Sequence, residues 1–136
     1  MLTIVPQHKK RSMNMTPRNP VVWSEIPVIE MARAIRFYNT VLKTELREEK
    51  DGPNPMAMFP AQDRDGISGH LYPGKPAARG TGPTIHLAVP DTVEAAMERL
   101  TGAGGEVVSP VIEIPAGRFA YCLDPDGNSI GLFESA

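Results

Sequence analysis

Glu25 and His86, a carboxylate and an imidazole, stand at matching places in a chain that carries one unit twice. Thr84-Ile85-His86-Leu87-Ala88-Val89-Pro90-Asp91 echoes Trp23-Ser24-Glu25-Ile26-Pro27-Val28-Ile29-Glu30, and each reads as a strand running into a helix start. Side chains alternate along a strand, so Trp23 and Glu25 share one face, as do Thr84 and His86. If those faces line a cleft between the copies, a pseudo-twofold axis sets the carboxylate and the imidazole in related places across it. Such a pair can orient a ligand, or exchange a proton with it as general acid and base. The same residues can also do no more than satisfy neighbouring backbone groups. Trp23 offers a flat face for stacking a planar ligand, and would serve equally as a core or interface residue.

The elements that must position these residues follow from periodicity. The first strand is expected at about residues 21–28, with Pro27 at a strand end or open edge because it cannot donate to a ladder. A helix over about residues 31–42 carries Met31, Ala34, Ile35, Tyr38 and Leu42 on one face and Arg33, Arg36 and Asn39 on the other. Tyr38 therefore reads as core. Short strands are expected near residues 45–49, 56–59 and 69–72, split by turns rich in Gly and Pro. In the second copy Asp91 reads as an N-cap with Glu94 completing a capping box. Val93, Ala96, Met97 and Leu100 form the buried face of that helix, and Gly102, Gly104 and Gly105 end it. Strands follow near residues 106–108, 118–124 and 129–134. Between the last two, Asp124-Pro125-Asp126-Gly127-Asn128 is a tight-turn signal, which makes Asp124 and Asp126 structural.

These elements predict an α+β fold of two β-α-β-β-β modules, residues 20–72 and 84–136, forming a curled mixed sheet around a cleft. Residues 73–83 have the composition of a linker loop, and the polar, basic residues 1–19 that of a flexible tail. At 136 residues and 41% apolar content the chain can bury a core. A net charge of -2 favours neither nucleic acid nor an anionic membrane surface. No apolar run is long enough to span a bilayer, and the first twenty residues lack a signal peptide's apolar core. Cys122 is the one cysteine, so no internal disulfide can form, which fits a reducing cytoplasm. In an apolar strand it reads as a small buried hydrophobe rather than a nucleophile.

Ile35-Arg36-Phe37-Tyr38, Asp91 at the start of the second helix, and the run from Gly117-Arg118-Phe119-Ala120-Tyr121 through Asp124-Pro125-Asp126-Gly127-Asn128 to Leu132-Phe133-Glu134 carry a resemblance. Over about residues 21–134 the chain resembles the vicinal oxygen chelate superfamily, which includes glyoxalase I, bleomycin-resistance proteins and extradiol dioxygenases. Metal-dependent members of that family draw His, Gln or Glu ligands from the first and last strands of each copy. Matched onto this sequence, those positions are Trp23, Gly69, Thr84 and Gly131, which supply neither carboxylate nor imidazole. The resemblance thus implies a small-molecule-binding protein without the usual divalent metal or any other cofactor. It would either hold a planar or amphipathic compound or act as a metal-free enzyme through Glu25 and His86. The alternative is a metal-dependent lyase, isomerase or dioxygenase with displaced ligands, Glu25 and His86 among them. A third class, a structural partner module, would show a cleft filled by side chains. Module exchange in folds of this kind makes a homodimer the expected assembly. On this register Gly69 faces the cleft and His70 faces away, as does Glu134. Arg118 reads as a solvated strand end, and the run Glu45, Arg47, Glu48, Glu49, Lys50, Asp51 as an exposed strand and turn.

Overall fold

Each copy builds its own sheet, with its first and last strands parallel and side by side. The computed structural model describes residues 15–63 and 65–136, so most of the expected tail, residues 1–14, lies outside the described residues. The first copy runs β1 (Trp23–Val28), α1 (Met31–Leu42), β2 (Arg47–Glu49), β3 (Met56–Met58) and β4 (Ser68–Pro73). The second runs β5 (Ile85–Ala88), α2 (Val93–Gly102), β6 (Glu106–Val107), β7 (Ile112–Ile114), β8 (Gly117–Leu123) and β9 (Ser129–Ser135). The sheet orders are β1-β4-β3-β2 and β5-β9-β8-β6, with β7 also on β8. Strand β7 was not expected from the sequence; its three residues are flanked by Pro110 and Pro115 and too short to show alternation. Pro27 sits on the edge strand β1, where its missing N–H costs nothing.

Both helices form for local reasons and pack for shared ones. Glu30 caps α1 by accepting the Arg33 N–H at 2.9 Å, and Lys43 ends the helix in the left-handed conformation at φ 53°. The face of α1 is rotated from the expected one. Ala34, Phe37, Tyr38 and Val41 are buried, while Met31, Ile35 and Leu42 are half-buried, because α1 must cover both β4 and α2. The N-cap of α2 is Thr92, whose hydroxyl accepts the Ala95 N–H at 3.1 Å, and not Asp91. Asp91 instead accepts two hydrogen bonds from Arg99, at 2.8 and 3.0 Å, and Arg99 also donates to the Val41 carbonyl at the end of α1. That guanidinium holds the Asp91 carboxyl below its ordinary range. The core is continuous across the copies: Ile26, Val28 and Leu71 from one sheet and Ile130, Leu132 and Ala120 from the other join the helices. Each large apolar side chain buried there contributes about 1.5–3 kcal/mol.

The turn at residues 124–128 fastens the two copies together. Asp124, 2% exposed, accepts the Tyr38 hydroxyl at 2.6 Å, the Asp126 and Asn128 amides at 2.9 Å each, and the Asn128 side-chain amide at 2.9 Å. Asn128 donates its other bond to the Pro27 carbonyl in β1 at 2.8 Å, and Asp126 pairs with Arg33 at 2.6 Å. Tyr38 is therefore core, and Asp124 and Asp126 are structural. Burial, with the Asp124 charge beside it, pushes the Tyr38 phenol well above its ordinary pKa. Cys122 is fully buried and its thiol is pushed up to about 11 by that burial, the state of an inert core residue.

Candidate functional site

The faces of the two sheets turned away from the helices hold the polar and aromatic residues. In β8 and β9, Ala120, Cys122, Ile130 and Leu132 face the helices, which leaves Phe119, Tyr121, Gly131 and Phe133 on the other side. His86 in β5 lies opposite Gly131, and its imidazole rests directly over that glycine. Three rings stand edge-on around it: Phe119 at 5.1 Å, Tyr121 at 5.7 Å and Phe133 at 6.2 Å between centroids. Gly131 is thus a seat for the imidazole, because a Cβ there would meet His86 Nδ1 at well under 3.0 Å.

In the first copy the register differs by one residue from the expected one. Glu25 lies opposite His70, and Gly69 lies opposite Ser24. Since Glu25 and His86 are equivalent, the counterpart of Gly131 is His70 and not Gly69. By strand pairing His70 thus shares a face with Trp23 and Glu25, although of the two neighbours it is Gly69 that lines the space between the copies. The Trp23 indole N–H donates to His70 Nδ1 at 2.9 Å, and His70 Nε2 lies 3.5 Å from Glu25 Oε1. A one-residue slip inverts every side chain of a strand. Gly69 is small for another reason, since the Ser24 hydroxyl and carbonyl occupy the space its Cβ would need.

A cavity of about 570 Å³ lies between the copies, within the range of drug-sized ligand sites. Trp23, Ser24, Ser68 and Gly69 line it from the first copy, Thr84, His86 and Ala88 from the second, and Phe59, Pro60, Ala61 and Ile67 from the loop between β3 and β4. Trp23, Gly69, Thr84 and His86 are thus brought to one space. Glu25 is not: it lines a separate cavity of about 120 Å³ with Pro27, Thr81 and Asn128. Gly131 lies beneath His86 rather than in the wall. The Thr84 hydroxyl is bonded to that of Ser129.

None of the described residues lining the larger cavity is Asp, Glu, Lys or Arg, and His86 is the titratable one among them. The family's divalent ion does not fit these residues. Trp23 presents an N–H donor, Thr84 is bonded to Ser129, Gly131 has no side chain, and His70 Nδ1 already accepts from Trp23. Among the described residues no three His, Cys, Asp or Glu converge. Arg118, expected to be solvated, is instead held by carboxylates. It bonds Glu94 at 2.9 and 2.6 Å and Glu134 at 3.2 Å, with Glu113 at 3.6 Å. That contact lowers the Glu94 carboxyl to about 2 and leaves no open anion site there. Glu134 turns toward α2, as expected, and accepts the Val93 N–H.

The sequence reading missed Phe119, Tyr121, Phe133 and His70. Alternation carried the signal for the first three: once Gly131 faces away from the helices, so do Phe133 and, across the hairpin, Phe119 and Tyr121.

Two parallel-edged sheets, each backed by one helix, with a cavity between two copies of one unit, define a class that comparison with known proteins supplies. Residues 20–132 match the Glyoxalase/Bleomycin resistance protein/Dioxygenase superfamily, and the chain belongs to it. It is 26% identical over 121 residues to the putative glyoxylase CFP32 of Mycobacterium tuberculosis, covering 83% of this chain and 44% of that protein. The chain therefore spans under half the length of that relative. A glyoxalase/bleomycin resistance protein from Albidiferax ferrireducens T118 superposes with a TM-score of 0.69 at 19% identity, over 87% of this chain and 100% of the other. TnmS3, an antibiotic binding protein from Streptomyces sp. CB03234, superposes at 0.60 with 26% identity, over 89% and 99%. Among the described residues no helix is long and apolar enough to cross a membrane.

Proposed function

We propose that this chain binds an uncharged, planar organic molecule in the cavity walled by Trp23 and His86, with no resident metal ion. One observation carries the reading: the described lining offers an indole, an imidazole and the hydroxyls of Ser24, Ser68 and Thr84, but no carboxylate or permanent cation. A carboxylate or phosphate would lose its hydration there without a described counter-charge to meet it. The relationship to an antibiotic binding protein supports binding of this kind. If catalysis accompanies it, His86 is the group placed to move a proton, with the Phe119, Tyr121 and Phe133 rings edge-on beside it. Glu25, in its own cavity, does not meet His86 across the ligand.

A matched pair of fluorescent probes tests this. N-phenyl-1-naphthylamine is neutral, and 8-anilinonaphthalene-1-sulfonate is the same aromatic skeleton bearing a sulfonate. The neutral probe is expected to bind at least about tenfold more tightly, and His86→Ala to weaken it. Equal binding of the sulfonate, or none of either probe, overturns the reading. Protein purified without chelator or metal-affinity step is expected to carry well under one equivalent of metal. A full equivalent of zinc, nickel, manganese or iron would instead support a metal-dependent lyase or dioxygenase with displaced ligands.

We propose further that the chain is a cytoplasmic homodimer. Val21 and Ile67, which line the cavity, and neighbouring Val22 are 69%, 46% and 64% exposed, an apolar patch that a second copy would cover. Sedimentation is expected to give twice the chain mass of 14.8 kDa, and a clean monomer at micromolar concentration refutes it.

A further inference from the structure

Trp23 does more than close one cavity. Its indole lines both the 570 Å³ cavity and a second space of about 310 Å³, and the second is lined also by the charged residues Arg47 and Asp63. Trp23 thus stands where a space whose described lining is uncharged borders one that is not. Phe59, Pro60, Ala61 and Ser68 border both spaces as well.

The indole is held at one point. Trp23 Nε1 is a donor and nothing else, so the His70 Nδ1 it bonds at 2.9 Å must present its lone pair. In the neutral ring the proton then resides on Nε2, the nitrogen that faces Glu25 Oε1 at 3.5 Å. A carboxylate, an imidazole and an indole stand in sequence. The carboxylate favours the tautomer, and the tautomer leaves an acceptor for the indole. His70 is 9% exposed and also stands edge-on to Tyr72 at 6.2 Å, so its ring is not free to choose another plane.

We propose that His70 is a positioning residue of the binding cavity. It latches Trp23 at the border of the two spaces, and so sets the size and polarity of the space a ligand enters, with Glu25 selecting the tautomer. This rests on the reading of the larger cavity as the ligand site.

The chain has one tryptophan, so its indole N–H gives a single, assignable proton–nitrogen resonance. His70→Leu removes the acceptor, whereas His70→Asn places an amide oxygen close to where Nδ1 stood. In His70→Leu the indole proton is expected to move upfield and exchange faster with water, and N-phenyl-1-naphthylamine to bind about tenfold more weakly, the worth of one hydrogen bond. His70→Asn is expected to restore the resonance, and the affinity to within about twofold of the unmodified protein. An indole resonance unmoved by His70→Leu overturns the latch. So does a resonance that moves while affinity stays, or an equal loss of affinity in both variants. Should the unmodified protein not bind the probe, the cavity reading fails, and the indole resonance alone still decides whether His70 holds Trp23.

Discussion

Asp124→Ala is expected to cost the fold about 3 kcal/mol or more, measured by denaturant unfolding. The truncation leaves the Tyr38 hydroxyl, two backbone amides and the Asn128 side-chain amide without the oxygens they now bond. All lie at a residue 2% exposed, where water is a poor substitute. A loss of that size is a large fraction of the roughly 5–15 kcal/mol that holds a domain folded. A cost below about 1 kcal/mol would show that the copies are held by their shared core alone. Burial of the Tyr38 phenol, with the Asp124 charge beside it, shapes the alkaline limit. The folded phenol keeps its proton to a higher pH than the free one, which ionises near about 10. Above that pH the unfolded chain binds fewer protons than the folded one, so stability falls as pH rises, by up to about 1.4 kcal/mol per pH unit. Tyr38→Phe is expected to lose about 1 kcal/mol at neutral pH and to flatten that alkaline slope.

Gly69→Ala and Gly131→Ala are expected to fail in different ways, although the sequence sets both glycines at matched family positions. At Gly69 the obstacle is the Ser24 carbonyl and hydroxyl on the neighbouring strand, and backbone cannot step aside without loosening β1 from β4. The expected cost is about 2–3 kcal/mol of stability. At Gly131 the obstacle is the His86 imidazole, an exposed ring that can rotate away. Stability should change by less than about 1 kcal/mol. Binding of N-phenyl-1-naphthylamine should weaken about tenfold, as in His86→Ala. Both variants remove the imidazole from one place, so the double variant should be no weaker than either single one. Additive losses would mean that Gly131 acts on the ligand by some route other than seating His86.

The strength of each local signal explains how far the sequence could be read. The α1 boundaries, the turn at residues 124–128 and the burial of Tyr38 were legible because periodicity, caps and turn residues agree there. The first copy's register was not. Gly69 and His70 are adjacent, and choosing between them needs the pairing of β1 with β4, which no local pattern states. The partner of Glu25 was misread for the same reason, since repeat symmetry points across the cleft to His86 while strand pairing points to His70. The N-cap of α2 slipped by one residue because Asp91 and Thr92 are both good caps, and Arg99 claims the first. The want of charge among the described lining residues was present in the sequence, but became visible once residues 21, 23–24, 59–61, 67–69 and 84–88 were seen to meet.

The turn that joins the copies also sets an order of events. Tyr38 bonds a residue 86 positions later, Arg33 one 93 later, and the Pro27 carbonyl one 101 later. While the chain is being synthesised, β1 and α1 emerge long before these partners exist. The first copy must wait, part-built, with the Tyr38 hydroxyl and the edge of β1 exposed to whatever else is near. Closing such distant contacts is entropically slow, and it rewards the chain all at once when residues 124–128 arrive. The final assembly of this fold is thereby tied to the completion of its second copy.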